Sequence, residues 1–487
     1  MRRSLLVVLA IAAFPCSAAA APVLMLGHDG RVTARNDPFV NGPAVTPAPA
    51  SAATNLRAHA ATAKPTRKRK PPERTVLSEL ARLERTHAID AATYLADTGS
   101  YNAALTEEKQ LTGTRRAELS AVTETLHTIA ASKQLTPSRL PALFATLAAN
   151  RQWWAHGSLL SSGARVEFAG SQLVWEYYPG QGIQLQVLGS FGKADGLYTA
   201  GAADYPQLVQ LLSQLIPLAA QRGGGLTWEY YFAFDGGAPP WTSAMSQATG
   251  LEALTRAYQA TQNPYYLQIA ARAMPIFGQA PPVGVNVRTS VGTRFLQYTF
   301  APRVSIINAF LQTLIGLYDY GQVSGNVTAQ QLFDQGNAEA QAEVPQFDTG
   351  AWSLYQPGVE DTLDYHELVT GFLGQLCTRT GAPVYCTTAQ HFSSYLRTLP
   401  TLADLTASVP RARSFSLRFR LSKVSHVGVV ITRGASTVFS TSASFGYGID
   451  QFTVPALKAP GGYSVRLAAT DLAGNFARIT GTLTVRP

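Results

Sequence analysis

Charge is what this chain has least of. Only 14% of its 487 residues are Asp, Glu, Lys or Arg, well below the usual quarter. With 46% hydrophobic and 10% aromatic residues, that composition excludes a disordered polyelectrolyte and supplies enough apolar surface for two or three cores. Cysteine is scarce as well. Three residues, Cys16, Cys377 and Cys386, exclude a disulfide-dense small scaffold. No HExxH, CxxC pair or EF-hand loop occurs, so no metal and no cofactor are expected. After the first 21 residues no apolar run reaches the length of a transmembrane helix. No basic stripe with interleaved aromatics lies in a folded stretch, so nucleic acid is not an expected partner. The glycine-rich stretches "PGQG" and "RGGGLTW" lack the downstream Lys-Ser/Thr pair of a phosphate-cradling loop.

What is present changes character along the chain. Residues 1–21, "MRRSLLVVLAIAAFPCSAAAA", combine two arginines, an apolar run and a small-residue tail. They read as a secretory signal peptide, which predicts a secreted, cell-envelope or periplasmic protein. Residues 22–75 are Ala/Pro-rich and include the basic run "KPTRKRKPPER". They read as a disordered linker whose charge is solvated. Helical periodicity over 76–155 marks an N-terminal helical region, with Leu77, Leu80 and Leu83, then Leu119, Val122, Leu126 and Ile129, recurring on one face. Alternation over 165–188 then predicts short strands turning at Gly170 and at "PGQG".

Paired helical segments dominate up to residue 405, at Pro206–Gln221, Trp241–Gln262, Pro264–Phe277, Val304–Tyr320, Thr328–Glu343, Thr362–Cys377 and Thr388–Leu399. The expected fold is mainly α with all-β additions. Residues 156–405 form an α/α toroid, an incomplete barrel of helical hairpins with a short β insertion. Residues 410–487 alternate, with a turn signal about every ten residues, which predicts an Ig-like β-sandwich of six or seven strands. In an exported chain Cys377 and Cys386, separated by "TRTGAPVY", are expected to form a disulfide.

The densest chemistry lies in "FDTGAWSLYQPGVEDTLDYHELVTGFLGQL", residues 347–376. Asp361, Thr362 and Asp364 are candidate caps for a helix starting near Tyr365. Val369, Phe372, Leu373 and Leu376 share an apolar face with Tyr365, and His366 lies about 100° round the helix. Tyr355, Tyr365 and His366 can be packing residues or reactive ones. A phenol, whose reference pKa is about 10, becomes a base near neutral pH only beside a cation or a hydrogen-bond network. Arg294 and Arg303 bracket Tyr298 in "RFLQYTFAPR".

Residues from about 180 to 376 resemble the C-terminal domain of the D-glucuronyl C5-epimerases. The likeness runs in order through "GIQLQVLGSFGKADGLY", read as a strand leading to a turn, "PWTSAMSQATGLEALTRAY", "YTFAPRVSIINAFLQTLIGLYDY", "FDTGAWSLY" and "DYH". The resemblance implies an α/α toroid with active-site tyrosines at Tyr298, Tyr355 and Tyr365, and His366 tuning Tyr365. Arg303, Arg294, Trp241, Gln247 and Asn308 are its candidate substrate-binding residues. It also implies inversion of carbon 5 of a hexuronate in an acidic polysaccharide, with one phenol as base and another as acid on opposite faces. The chain departs from animal members at Gln297, at "QPGV" beginning with Gln356, and at Val369. A polysaccharide lyase and a non-catalytic extracellular glycan-binding protein remain as alternatives, and a homodimer is left open.

Overall fold

The computed structural model describes residues 22–40 and 74–487. The signal peptide and most of the expected linker lie outside the described residues. The chain divides into two compact units, one holding residues up to 219 together with 230–240, the other 220–229 with 241–487.

The first unit opens with a hairpin, β1 (Val23–Leu26) and β2 (Val32–Arg35), where the sequence reading placed linker. Composition masked a short apolar strand followed by the turn "GHDG". Val23 and Leu26 are buried, and the hairpin is tied down by charge. Lys193 Nζ lies 3.0 Å from Asp37 and 2.7 Å from Glu167, and Arg35 pairs with both carboxylates. A buried ammonium is tolerable only with such partners. Helices α1 (Val76–Arg85), α2 (Ala91–Gln110), α3 (Gly113–Ala131) and α4 (Leu140–His156) follow. Helix α2 escapes the periodicity because it buries little more than Tyr101 and Ala104.

Strands β3 (Arg165–Phe168), β4 (Trp175–Tyr178) and β5 (Gly182–Leu185) complete a sheet of order β2-β1-β3-β4-β5, in which only β1 and β3 run parallel. Helix α5 (Val187–Ala200) replaces the expected turn. Its internal glycines lower intrinsic propensity, yet burial of Phe191, Lys193 and Leu197 decides the outcome. Helix α6 (Tyr205–Leu215) pairs with it.

The second unit begins with the hairpin β6 (Ala220–Arg222) and β7 (Gly225–Thr227), then α7 (Ala244–Thr261) and α8 (Tyr265–Ala273). A second hairpin, β8 (Asn286–Arg288) and β9 (Thr293–Phe295), leads to α9 (Ile307–Ser324) and α10 (Val327–Glu343). A third, β10 (Leu354–Gln356) and β11 (Val359–Glu360), leads to α11 (Leu363–Thr380) and α12 (Pro383–Tyr395). Helix α7 packs on α9 and α9 on α11, while α8, α10 and α12 return behind them. Burial explains the layering: every residue from Ala244 to Thr255 and from Ile307 to Leu317 is buried, as befits helices enclosed on all sides.

The enclosed helices run parallel. Gln312 meets Thr249 toward their starts, Tyr318 donates to Arg379 O toward the ends of α9 and α11, and Arg379 pairs with Asp319 at 2.6 Å. Parallel packing puts their N-termini, and the β-hairpins that precede them, at one end. Contact is close enough that a Cβ on Gly316 would fall 2.2 Å from Ala248 O. The expected disulfide joins Cys377 of α11 to Cys386 of α12, Cα atoms 4.9 Å apart.

Eight strands close the unit. They are β12 (Leu402–Asp404), β13 (Ser408–Pro410), β14 (Phe415–Leu421), β15 (Ser425–Arg433), β16 (Ser436–Phe445), β17 (Gly448–Val454), β18 (Gly461–Asp471) and β19 (Phe476–Arg486). They form a three-stranded sheet, β12-β14-β17, and a five-stranded one, β13-β19-β18-β15-β16. Inward residues of both, including Leu417, Phe419, Val429, Phe452 and Leu467, share one core. The two-sheet region thus starts at Leu402, ahead of the expected 410.

Candidate active site

The hairpin ends of the parallel helices carry the three tyrosines. Residues 296–299 are laced to the start of α7, where Ala244 N donates to Leu296 O and Thr299 N to Thr242 O. This places Tyr298 edge-on to Trp241, centroids 5.6 Å apart, and stacked on Phe300 at 5.2 Å. Tyr355 stands on β10. Tyr365 occupies the first turn of α11, whose Thr362 cap accepts from Tyr365 N. The Tyr355 and Tyr365 rings lie 5.0 Å apart, and the Tyr355 hydroxyl is hydrogen-bonded to Tyr298. Tyr298 thus joins Tyr355 and Tyr365 at one point, Tyr298 buried and the other two half-buried. Burial pushes the Tyr355 phenol well above its ordinary value, and Tyr298, Tyr365 and Asp361 push it further. These surroundings keep the Tyr355 phenol protonated.

The other expected site residues divide sharply. Arg294 is spent on α10: its Nε donates to Glu343 at 2.7 Å, and Glu339 lies 3.7 Å away. That correction has a plain cause, since β9 faces two buried carboxylates. Gln247 is another correction. It is fully buried and bonds Trp228 N, Trp228 O and the Thr242 hydroxyl, so it secures the β7–α7 connection. Trp241, 4% exposed, forms the wall behind Tyr298. Arg303 is exposed, on the turn after Tyr298, and no hydrogen bond or ion pair holds it among the described residues. Asn308, on the first turn of α9, is 5% exposed with its Oδ1 unpartnered. Arg303 and Asn308 keep binding capacity in reserve.

His366 does not join the tyrosines. Its ring is fully buried, stacked 3.8 Å from Trp352. Burial drops its pKa to about 4, with Lys423 adding to the drop and the Phe392 carbonyl and Asp348 opposing it. In the neutral ring Nε2–H donates to Phe392 O at 3.0 Å. Nδ1 is then an acceptor, 2.7 Å from Ser353 Oγ, which also lies 2.5 Å from Asp361 Oδ2. One hydroxyl proton cannot serve both neighbours. Burial raises Asp361 to about 7, so below that pH Asp361 carries its own proton to Oγ and frees the serine proton for Nδ1. These are the residue types of a hydrolase triad, but the serine sits in the middle and all three are sealed. The knot is structural. Sequence reasoning missed Ser353 and Trp352, and took Asp361 for a cap, because only burial separates them from a reactive set.

The departures fall in place. Gln297 accepts from the Ser243 hydroxyl beside the start of α7, Gln356 lies half-buried on β10, and Val369 is fully buried. An open cleft of about 590 Å³ elsewhere, lined by Asp348, His391 and Tyr395 among others, holds an Asp–His contact of 3.1 Å. With His391 about half exposed, such a surface pair contributes little. Among the described residues no group of three or more His, Cys, Asp or Glu side chains is placed to hold a metal ion. No helix among them is long and apolar enough to cross a membrane.

Helical hairpins thus bring a cluster of phenols to one end of the second unit. Residues 223–394 match the family model of the D-glucuronyl C5-epimerase C-terminus. The match ends within α12 and leaves out the two-sheet region. A D-glucuronyl C5-epimerase of Caenorhabditis elegans is 31% identical over 130 residues, 24% of this chain and 21% of that protein. An uncharacterized protein of Methanocaldococcus jannaschii is 27% identical over 168 residues, 33% of this chain and 54% of that protein. The chain thus spans from about a fifth to about half the length of these curated relatives. A sugar epimerase from a ruminal bacterium is similar in structure at 13% identity and a TM-score of 0.33, covering 43% of this chain and 60% of that one.

Proposed function

We propose that this protein is an exported uronate 5-epimerase that inverts carbon 5 of a hexuronate within a polysaccharide. The observation that carries the reading is the convergence of Tyr298, Tyr355 and Tyr365 in a domain of the matching family. One phenol takes the carbon-5 proton, and a second returns one to the opposite face. Tyr355 fits the acid role. A base requires its phenolate to be favoured, and Arg303 is the cation free to approach. There it would also neutralise the substrate carboxylate, without which the carbanion-like state is too costly. We take α7 to α12 as part of an incomplete α/α toroid and the two-sheet region as an Ig-like module. Export is supported by the leader-like first 21 residues and by the disulfide.

A second reading, a glycan-binding protein that has kept the shape without the chemistry, is favoured by one observation. Every charged or polar neighbour acting on the Tyr355 phenol holds its proton on rather than off. Uronate polymers incubated with the protein in heavy water separate the readings. Deuterium at carbon 5 of uncut polymer supports epimerisation. Chain cleavage to an ultraviolet-absorbing unsaturated uronate points to a lyase. Binding without exchange, surviving Phe at all three tyrosines, overturns both enzymatic readings.

A further inference from the structure

The two-sheet region lies outside the family match, yet it packs against the β10–β11 hairpin that carries Tyr355. Lys423, between β14 and β15, is fully buried. Its ammonium has three protons and three acceptors: Tyr395 O at 2.8 Å, Thr398 O at 2.5 Å and Asp471 at 2.5 Å. Tyr395 is the last residue of α12 and Thr398 lies in the turn just after it, where a cation is favoured by the helix dipole. Asp471 is fixed in turn by Asn475 N and Nδ2 at 2.8 and 2.9 Å, and Asn475 also donates to Leu396 O. A buried ammonium so completely matched is a built feature.

The ammonium lies 5.4 Å from the centroid of the Trp352 ring, and Trp352 stacks on His366 at an interplanar angle of 9°. Trp352 also donates from Nε1 to Asp361 O at 2.9 Å. His366 follows Tyr365 in α11, and its partner Ser353 precedes Tyr355 by two residues. Ammonium, indole and imidazole thus form one stack, ending at the two backbone segments that present the phenols. A second brace runs beside it. Glu360 of β11 accepts from Val424 N at 2.9 Å and Tyr447 N at 2.7 Å, tying the partner strand of β10 to two loops of the two-sheet region.

We propose that Lys423 is a positioning residue for the tyrosine cluster, acting from the C-terminal two-sheet region through Trp352 and His366. The region is then a working part of the site and not a tethered spacer. Its positive charge disfavours a second one on His366, and a neutral imidazole is what lets Nδ1 accept from Ser353. The titratable and charged groups acting on His366 are Lys423, Asp348 and, through Ser353, Asp361. The consequence for turnover rests on the tyrosine cluster being the reactive centre; the consequence for His366 does not.

The test uses the full chain with Lys423→Met combined with Asp471→Asn, so that neither charge is left unpaired. Imidazole NMR follows His366 titration, and carbon-5 exchange gives kcat and KM. His366 is expected to titrate above its wild-type value of about 4, toward the ordinary 6.5. Turnover should fall about tenfold or more, with KM changed less than about twofold. Trp352→Phe keeps the lysine but shrinks the bridge, and should move both readouts the same way by less. It decides the matter if the double variant does not fold. Wild-type His366 titration and turnover in a folded variant would overturn the proposal. If the wild-type protein exchanges no carbon-5 hydrogen, the epimerase reading fails, while the titration alone still decides whether Lys423 acts on His366.

Discussion

The tyrosine cluster and the His366 knot share one hairpin and one helix, yet their chemistry points opposite ways. Tyr365 and His366 are consecutive residues. One stands half-exposed 5.0 Å from Tyr355, and the other is shut between Trp352 and Phe392 with both ring nitrogens occupied. Consecutive helical residues point about 100° apart, so a single step along the chain separates a half-buried phenol from a sealed imidazole. Residue type does not mark the accessible side; burial does. The knot holds Asp, Ser and His and is sealed, while the cluster is made of phenols.

Substitution breaks this contrast most strongly at Tyr355. Tyr355→Phe should lower carbon-5 exchange by about 10²- to 10⁴-fold while changing stability by only about 1 kcal/mol, the usual worth of one hydrogen bond. Denaturant unfolding beside the exchange assay checks both halves. His366→Ala should do the reverse in origin, costing about 3 kcal/mol of stability by opening a cavity and orphaning Phe392 O. Its activity loss should follow from displaced tyrosines, and a urea midpoint measures the stability term. Replacing Cys377 and Cys386 with Ser should cost about 2–3 kcal/mol through loop entropy and leave exchange by the folded protein intact, since the bridge joins α11 and α12 away from the phenols.

An effect that cancels in the wild-type chain sharpens the picture of the knot. His366, held below its unfolded value of 6.5, contributes stability that is present above pH 6.5 and lost as pH falls toward 4. Asp361, held above its unfolded value of 3.8, contributes stability present below that pH and lost as pH rises through 7. Between those limits the pair carries one proton in either state, on Asp361 when folded and on His366 when unfolded, so the two slopes cancel. Asp361→Asn should expose a loss of stability on acidification from pH 6.5 to 4. His366→Gln should expose the opposite slope, and urea midpoints across pH 4–7 read both.

Much of the helical layout was legible from periodicity. The stripe Val369, Phe372, Leu373 and Leu376 is buried as its spacing predicts. Helix α5 was not legible, because three glycines hide a segment that only burial holds in a helix. The β1–β2 hairpin was lost in the composition of its neighbours. Within the site, the tyrosines could be named because they lie in blocks resembling a known family; spacing alone left them equal to core aromatics. Arg294 and Gln247 turn out to be engaged within the protein for one reason. Their partners, Glu343 and Trp228, are set by packing between segments, and no local pattern announces that.

The central claim is that two phenols work on opposite faces of one carbon. Its most direct test is the isotope content of both epimers of a uronate polymer, recovered at low conversion in heavy water. The account predicts deuterium at carbon 5 of the inverted residues and almost none in the residues that keep their configuration. Equal labelling of both epimers, or no label at all, would contradict it.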